Sequence, residues 1–342
     1  MSQKFDSARK SYAGKAIGIL FFIYIIIMIA YFVSQGYRVG SVIGTISKYE
    51  KFLLINDSYL SENKRQDMKL KNFYVASAYR PYMASNQKYD YASEKILEKN
   101  IESGCRFILL DIFNETLSED TEPVVSTGHE KGNWKYTLNT VYFNKICQII
   151  SERAFTSGYV NNYNDPFFIA LNLKTNNNHN TLNRIQEAIF KYLKSKLLPS
   201  KFANQSTFIG DALISELMGK VVILSSGGYE HTNLEEIINY SWDKDDCMIM
   251  SYKTMDVDVP KDTVIKNNPD DVRVFNKTGL SIVIPEENSF LTSNYDPDVF
   301  FDTGCQFICM NYQKSDEFMS KYITRFRYSS FLEKPDHLKS GE

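Results

Sequence analysis

Residues 16–33, AIGILFFIYIIIMIAYFV, form an uncharged apolar run that constrains the chain more than any other feature. As a helix, a run of this length reaches about 27 Å at 1.5 Å per residue. That is just enough to cross a hydrocarbon core of about 30 Å. A cleaved secretory leader would have a shorter apolar core followed by small residues, whereas Tyr31-Phe32-Val33-Ser34-Gln35-Gly36 stands here. A buried core helix would carry a polar residue at every turn. The expectation is one transmembrane helix over residues 16–33, with the lipid bilayer as its partner.

The flanks set the expected orientation. Lys4, Arg9, Lys10 and Lys15 precede the run with Asp6 as the only acid, while Arg38, Lys48 and Lys51 beyond it are sparser and accompanied by Glu50. The excess of positive charge predicts a cytoplasmic N-terminus over residues 1–15 and a large domain on the extracytoplasmic or lumenal side. Asn-x-Ser/Thr sequons at Asn56, Asn114, Asn204, Asn239 and Asn276 would permit glycosylation there. The five cysteines point the other way, toward a reducing compartment. The flanking charges are the stronger signal.

Beyond the anchor, 43% hydrophobic residues supply a sizeable core, and a net charge of -2 without a long basic run disfavours a nucleic-acid partner. Residues 34–69 read as a juxtamembrane helix and linker. Val42, Ile46, Tyr49 and Leu53 recur at helical spacing within Ser41–Met68, a stripe expected to pack on the following domain. From residue 70 the chain alternates apolar β-rich runs with helical patterns. Strands are expected at Phe73–Ser77, Arg106–Ile112, Pro123–Thr127, Pro166–Leu173, Lys220–Leu224, Cys247–Ser251, Leu280–Pro285 and Cys305–Tyr312. Helices are expected near Ser93–Ser103, Leu138–Ala154, Thr181–Lys196 and Asp316–Thr324. Continuous apolar strands alternating with helices imply an α/β fold with a covered parallel sheet. Eight units suggest a TIM-type (β/α)8 barrel over residues 70–336 with a tail at 337–342. An open doubly wound sheet shares that alternation.

Motifs decide between the two. Residues 74–83, YVASAYRPYM, resemble a strand and loop usually written F-I-S-S-S-H-N-T-Y-L. Residues 104–111, GCRFILLD, resemble G-C-R-x-V-E-L-D, and residues 123–129, PVVSTGH, resemble P-V-[IV]-x-H-G-H. In the second half, residues 293–297 and 304–313 resemble S-N-Y-x-P and G-C-Q-x-V-A-L-N-F-Q, and Lys334-Pro335 resembles a closing L-K-P. In this order the motifs identify residues 70–336 as similar to phosphoinositide-specific phospholipase C, with an X-like half at 70–226 and a Y-like half at 247–336. The resemblance implies the barrel and a phosphodiesterase site at the strand C-termini.

The departures carry the functional reading. The family's two histidines perform acid/base chemistry on the phosphodiester. His129 stands at the second position, but the first carries Tyr79, a poor base at neutral pH. The calcium ligands, an Asn, a Glu, an Asp and a Glu, fall on Arg80, Leu109, Asp111 and Lys174. Only Asp111 can ligate, and two of the replacements are cations, so calcium is expected to be lost and no cofactor to be required. The phosphate grips fall on Leu224, Ser226, Ile282 and Ile284. The resemblance therefore implies a pseudoenzyme, in which Arg80 and Lys174 pair with Asp111 as a structural cluster or frame an anion pocket. The expected role is a membrane-anchored scaffold or interaction protein, linking a membrane to a protein layer such as a viral capsid. A virion internal membrane is one expected location. Two alternatives stay open. One is a divergent calcium-independent phosphodiesterase using His129 with Tyr79 or Arg80. The other is a lipid-headgroup module without turnover.

Overall fold

A computed structural model describes residues 2–49, 68–205, 207–243, 245–251, 268–286 and 293–340. Eight strands run parallel: β1 (Phe73–Tyr79), β2 (Phe107–Asn114), β3 (Phe167–Lys174), β4 (Val221–Ser225), β5 (Tyr240–Ser241), β6 (Cys247–Ser251), β7 (Leu280–Ile284) and β8 (Phe307–Met310). Their spatial order is β6-β7-β8-β1-β2-β3-β4-β5. Chain order resumes at β6 where the spatial order ends at β5, so the sheet curls into a nearly closed barrel. Among the described residues, β5 and β6 share no ladder.

The two-residue side-chain period of a strand sorts these residues into two layers. Phe73, Val75, Tyr79, Phe107, Leu109, Phe168, Ala170, Val222, Leu224, Ile282, Phe307 and Cys309 fill the barrel interior. The Phe107 and Phe307 rings stack at 4.5 Å. Alternate residues such as Ala76, Ala78, Ile108, Leu110, Ile169, Ile223 and Ile308 face outward into a second core. That outer core is covered by α2 (Glu94–Glu102), α3 (Phe143–Ile149, continued by a π turn to Ala154), α4 (His179–Leu193), α5 (Pro269–Thr278) and α6 (Glu317–Arg325); α1 (Ser2–Ile46) precedes the barrel. Side chains that accept from free backbone N–H groups start three of these helices. Asn178 caps α4, Asn268 caps α5 with Pro269 in its first turn, and Asp316 caps α6.

Several expectations need correction. Residues 123–127 are not a barrel strand: Pro123–Val125 runs antiparallel to the end of β2 and to Val141–Tyr142, outside the parallel ring. Its apolar residues pack there against the outer layer rather than the axis. The missing barrel position is β5, which lies inside the stretch read as a linker between the halves. Two residues are too few for periodicity to register. The pairing is completed by the Asn239 side chain, which accepts from Ile223 N–H at 2.7 Å and donates to the Phe202 carbonyl at 3.1 Å. Helix α5 was not expected, and residues 138–142 are irregular chain ending in the short strand Val141–Tyr142 rather than helix.

The amphipathic stripe also belongs to a different element than expected. No break separates the apolar run from residues 41–46, because α1 continues to Ile46 as one helix. Val42, Ile46 and Tyr49 are buried against the barrel, and Leu53 lies outside the described residues. Among the described residues, α1 is the one helix long and apolar enough over Gly14–Ile46 to cross a membrane. Three sequons are unavailable in the folded chain. Asn114, Asn239 and Asn276 are buried, and their amides donate to Thr175, Phe202 and Thr303 carbonyls. The side chains of Asn56 and Asn204 lie outside the described residues.

Candidate functional site

The strand period also aims polar residues at the barrel mouth, the end carrying the strand C-termini. On β2 the inward series Phe107, Leu109 ends at Asp111, and on β3 the series Phe168, Ala170 ends at Asn172 and Lys174. The β2–β3 ladder pairs Asp111 with Asn172 directly, and Asn172 Nδ2 donates to Asp111 Oδ1 at 2.9 Å. Arg80 follows β1 and by alternation would point outward. Its backbone takes φ +43°, a left-handed value uncommon for a side-chain-bearing residue, which carries the chain into the mouth loop.

These elements bring together Arg80, Asp111 and Lys174, the three charged residues at positions where the resemblance implies metal ligands. Arg80 Nη2 lies 2.5 Å from Asp111 Oδ2, and Lys174 Nζ lies 3.5 Å from the same oxygen. Arg80 and Asp111 are buried and Lys174 is 13% exposed. Burial alone would push the Asp111 carboxyl upward. The charges of Arg80 and Lys174 and the hydrogen bonds from Asn172 and Arg80 outweigh it and hold the group below its ordinary value. Lys174 also reaches the Gly128 carbonyl at 3.4 Å.

A polar tier that motif comparison missed supports this cluster. Arg80 Nη1 donates to Gln87 Oε1 at 2.9 Å, and the Gln87 carbonyl accepts from Thr127 Oγ1. Gln87 Nε2 in turn reaches Asn311 Oδ1 at 3.5 Å, which also accepts from Gln313. Asn311 and Gln313 belong to a matched motif, but nothing in the sequence joins them to Gln87 or Asn172. Their link is spatial, through the neighbouring ends of β8, β1, β2 and β3.

The other expected site residues are spread over different environments. Tyr79 is buried in the barrel interior with its ring 4.6 Å from the Arg80 guanidinium carbon. Leu109, Leu224, Ile282 and Ile284 are buried in the same interior core, so apolar side chains occupy four positions where the resemblance implies ligands or phosphate contacts. Ser226 is partly buried and its Oγ accepts from Leu173 N–H at 2.9 Å. His129 is exposed on a small hairpin of Gly128–His129 with Trp134–Lys135, its ring 5.4 Å from that of Tyr136. Gly128 permits the hairpin, because a Cβ there would sit 2.0 Å from the Trp134 carbonyl oxygen. The loop after β3 carries Asn176 and Asn177 in left-handed conformations before the Asn178 cap.

Chemically, this mouth differs from a metal site. Among the described residues of this cluster, the Asp111 carboxylate is enclosed by two cations and an amide donor, and Leu109 offers no ligand atom. A divalent cation would have to displace both Arg80 and Lys174 to reach Asp111. Such a donor set does not fit calcium, which takes six to eight oxygens.

Residues 66–226 match the X domain of phosphatidylinositol-specific phospholipase C, and residues 237–337 match its Y domain. The chain belongs to the phosphatidylinositol-specific phospholipase C family. Within that family it is 24% identical over 340 residues to the human protein called inactive phospholipase C-like protein 2, covering 83% of this chain and 28% of the relative. A stretch of 83 residues is 32% identical to a Drosophila melanogaster protein named 1-phosphatidylinositol 4,5-bisphosphate phosphodiesterase classes I and II, covering 23% of this chain and 6% of that one. The phospholipase C barrel of this chain also superposes on the crystal structure of S. officinalis PLC21 with a TM-score of 0.64 at 18% identity, covering 84% of this chain and 41% of the other. The match to L. pealei PLC21 gives 0.62 at 18% identity, covering 80% and 38%. The chain thus spans well under half the length of these relatives.

Proposed function

We propose that this phospholipase C-like barrel is a non-catalytic, membrane-anchored scaffold or interaction protein. The observation that carries the reading is the buried Arg80–Asp111–Lys174 cluster at the former metal position. Hydrolysis of a phosphodiester at this site would need a base to take the inositol hydroxyl proton and a cation to neutralise the developing charge. Tyr79 is a buried phenol at the base position, and His129 is exposed on a hairpin without a second imidazole matched to it. The similarity to a human protein named as inactive points the same way. The test is calcium-supplemented hydrolysis of mixed phosphoinositide liposomes by the full chain. Release of inositol phosphate at the level of a protein-free blank supports the reading. Release that His129→Ala abolishes overturns it.

In this reading residues 16–33 hold the barrel at a bilayer, with residues 1–15 cytoplasmic and the barrel opposite. Its partner is a protein layer facing that membrane, for which a viral capsid around an internal membrane is one case. Resistance to carbonate extraction, and cleavage of residues 1–15 but not of the barrel by protease added to sealed microsomes, test the anchor and its orientation. One observation favours headgroup binding without turnover as a second reading: two cations face one carboxylate, and Lys174 is partly exposed. Saturable binding of inositol trisphosphate to the nanodisc-embedded chain, lost in Lys174→Gln, would select it.

A further inference from the structure

The course of α1 over the barrel leads beyond the proposed role while resting on the reading of residues 16–33 as a bilayer span. Tyr31, near the end of the apolar run, packs edge-on against the Tyr91 ring at 5.3 Å. Its hydroxyl reaches the Leu138 carbonyl at 3.5 Å, and its own carbonyl accepts from Tyr91 at 3.3 Å. Two turns on, Arg38 pairs with the buried Asp90 at 3.0 Å. Gly36, Val39, Gly40 and Ile43 then line a groove of about 510 Å³ shared with residues 92–95 and 139–141. Past the helix end, the Tyr49 ring meets that of Tyr312 at 6.3 Å.

Every one of these barrel partners lies at the mouth end. Residues 90–95 lead from β1 into α2, residues 138–142 lead from the β2 excursion into α3, and Tyr312 leads from β8 toward α6. The strands β8, β1 and β2 are neighbours, so α6, α2 and α3 are successive outer helices. From Tyr31 to Ile46, α1 advances roughly 22 Å. Over that length it passes from the start of α3, across the start of α2, toward the start of α6, without descending along the barrel. A helix that stays at one level across three neighbours runs around the rim, close to perpendicular to the barrel axis.

We infer that the barrel lies on its flank at the membrane, its axis near the bilayer plane and its mouth opening sideways, with the 134–142 sector seated in the lipid interface. Spanning helices tilt by about 20° on average, too little to turn the mouth onto the bilayer. The chemistry of the proximal sector fits a lipid headgroup layer. Tyr89, Trp134, Leu138 and Tyr142 are exposed there, and Tyr89 N–H and Leu138 N–H tie the two loops together through the Tyr136 and Asp90 carbonyls. Trp and Tyr side chains favour that layer because an apolar ring and a polar tip are both accommodated. Lys88 lies over the Tyr136 ring beside them, able to meet lipid phosphates.

Tryptophan emission tests this in the full chain reconstituted into liposomes, because the sequence has two tryptophans and Trp242 is buried within the barrel. Lipids brominated near the headgroup end of the acyl chain should quench Trp134, and the quenched component should disappear in Trp134→Phe. A second variant combines Trp134→Phe with Glu230→Trp, on the exposed mouth loop after β4 and away from the α2–α3 sector. Its new indole should escape quenching. Carbonate-resistant protein without Trp134 quenching, or with equal quenching at position 230, overturns the flank orientation alone. Carbonate extraction of the protein overturns the anchor and this orientation together.

Discussion

The guanidinium of Arg80 lies 2.5 Å from the carboxylate of Asp111, and neither side chain is more than 1% exposed. A charge pair withdrawn from water in this way is held by its own complementarity. Each partner would be costly without the other.

Removal of one partner is therefore expected to be severe. Arg80→Ala leaves Asp111 with Lys174 at 3.5 Å as its nearest cation, and breaking a buried pair costs about 3–5 kcal/mol. Retention of Lys174 places the expected loss near the lower end. Arg80→Met combined with Asp111→Leu and Lys174→Met should recover most of it, since three apolar side chains leave no charge of the cluster unmatched. Denaturant midpoints of the detergent-solubilised chain measure both. An unchanged midpoint in Arg80→Ala would remove the structural role of the cluster.

The short β4–β5 ladder is extended by one side-chain amide. Asn239→Ala removes the acceptor for Ile223 N–H and the donor to Phe202 O. Leaving such buried groups unpaired costs about 1–3 kcal/mol. The expected result is that loss in global stability, with faster amide exchange at Ile223 than at Phe168, whose N–H donates to the Arg106 carbonyl on the β2 side of β3.

How far these features could be read in advance follows from their range along the chain. The strands β1, β2, β3 and β8 were legible because each is a contiguous apolar β-rich run, although which of their residues face the interior was not. The motifs at Tyr79–Arg80, Asp111 and His129 marked the mouth for the same reason: each is contiguous. β5 was not legible, since Tyr240–Ser241 is defined by a long-range amide contact and not by a pattern. Pro123–Val125 misled because a β-rich apolar run does not say which sheet it joins. Gln87 and Asn172 were missed because only the folded barrel sets them beside Arg80 and Asp111. Apolar residues at Leu109, a position where the resemblance implies a metal ligand, and at Leu224, Ile282 and Ile284, where it implies phosphate contacts, stand in the sequence itself, yet their burial in one interior core required the structure.

Lys334 supplies a pH-dependent test. Its ammonium is buried, donates to the Asn276 carbonyl in the last turn of α5 at 2.9 Å, and burial lowers its pKa to about 7. In the unfolded chain it keeps the ordinary value of 10.5. Above pH 7 the unfolded state thus binds the extra proton, so stability rises with pH through this window. The rise is readable up to about pH 9, where buried cysteines such as Cys105, raised from 9.0 to about 12, begin to oppose it. Lys334→Met should flatten the dependence of the denaturation midpoint between pH 7 and pH 9. A slope identical to that of the parent chain would contradict the assignment.

We read the Arg80–Asp111–Lys174 cluster as a structural one standing where the family resemblance implies a catalytic centre. The most direct measurement is inositol phosphate release from mixed phosphoinositide liposomes by the full chain, with and without calcium. The account predicts no release above blank in either condition and no change in Tyr79→Phe or His129→Ala. Calcium-dependent release that falls in Asp111→Asn, or calcium-independent release that falls in His129→Ala, would contradict it.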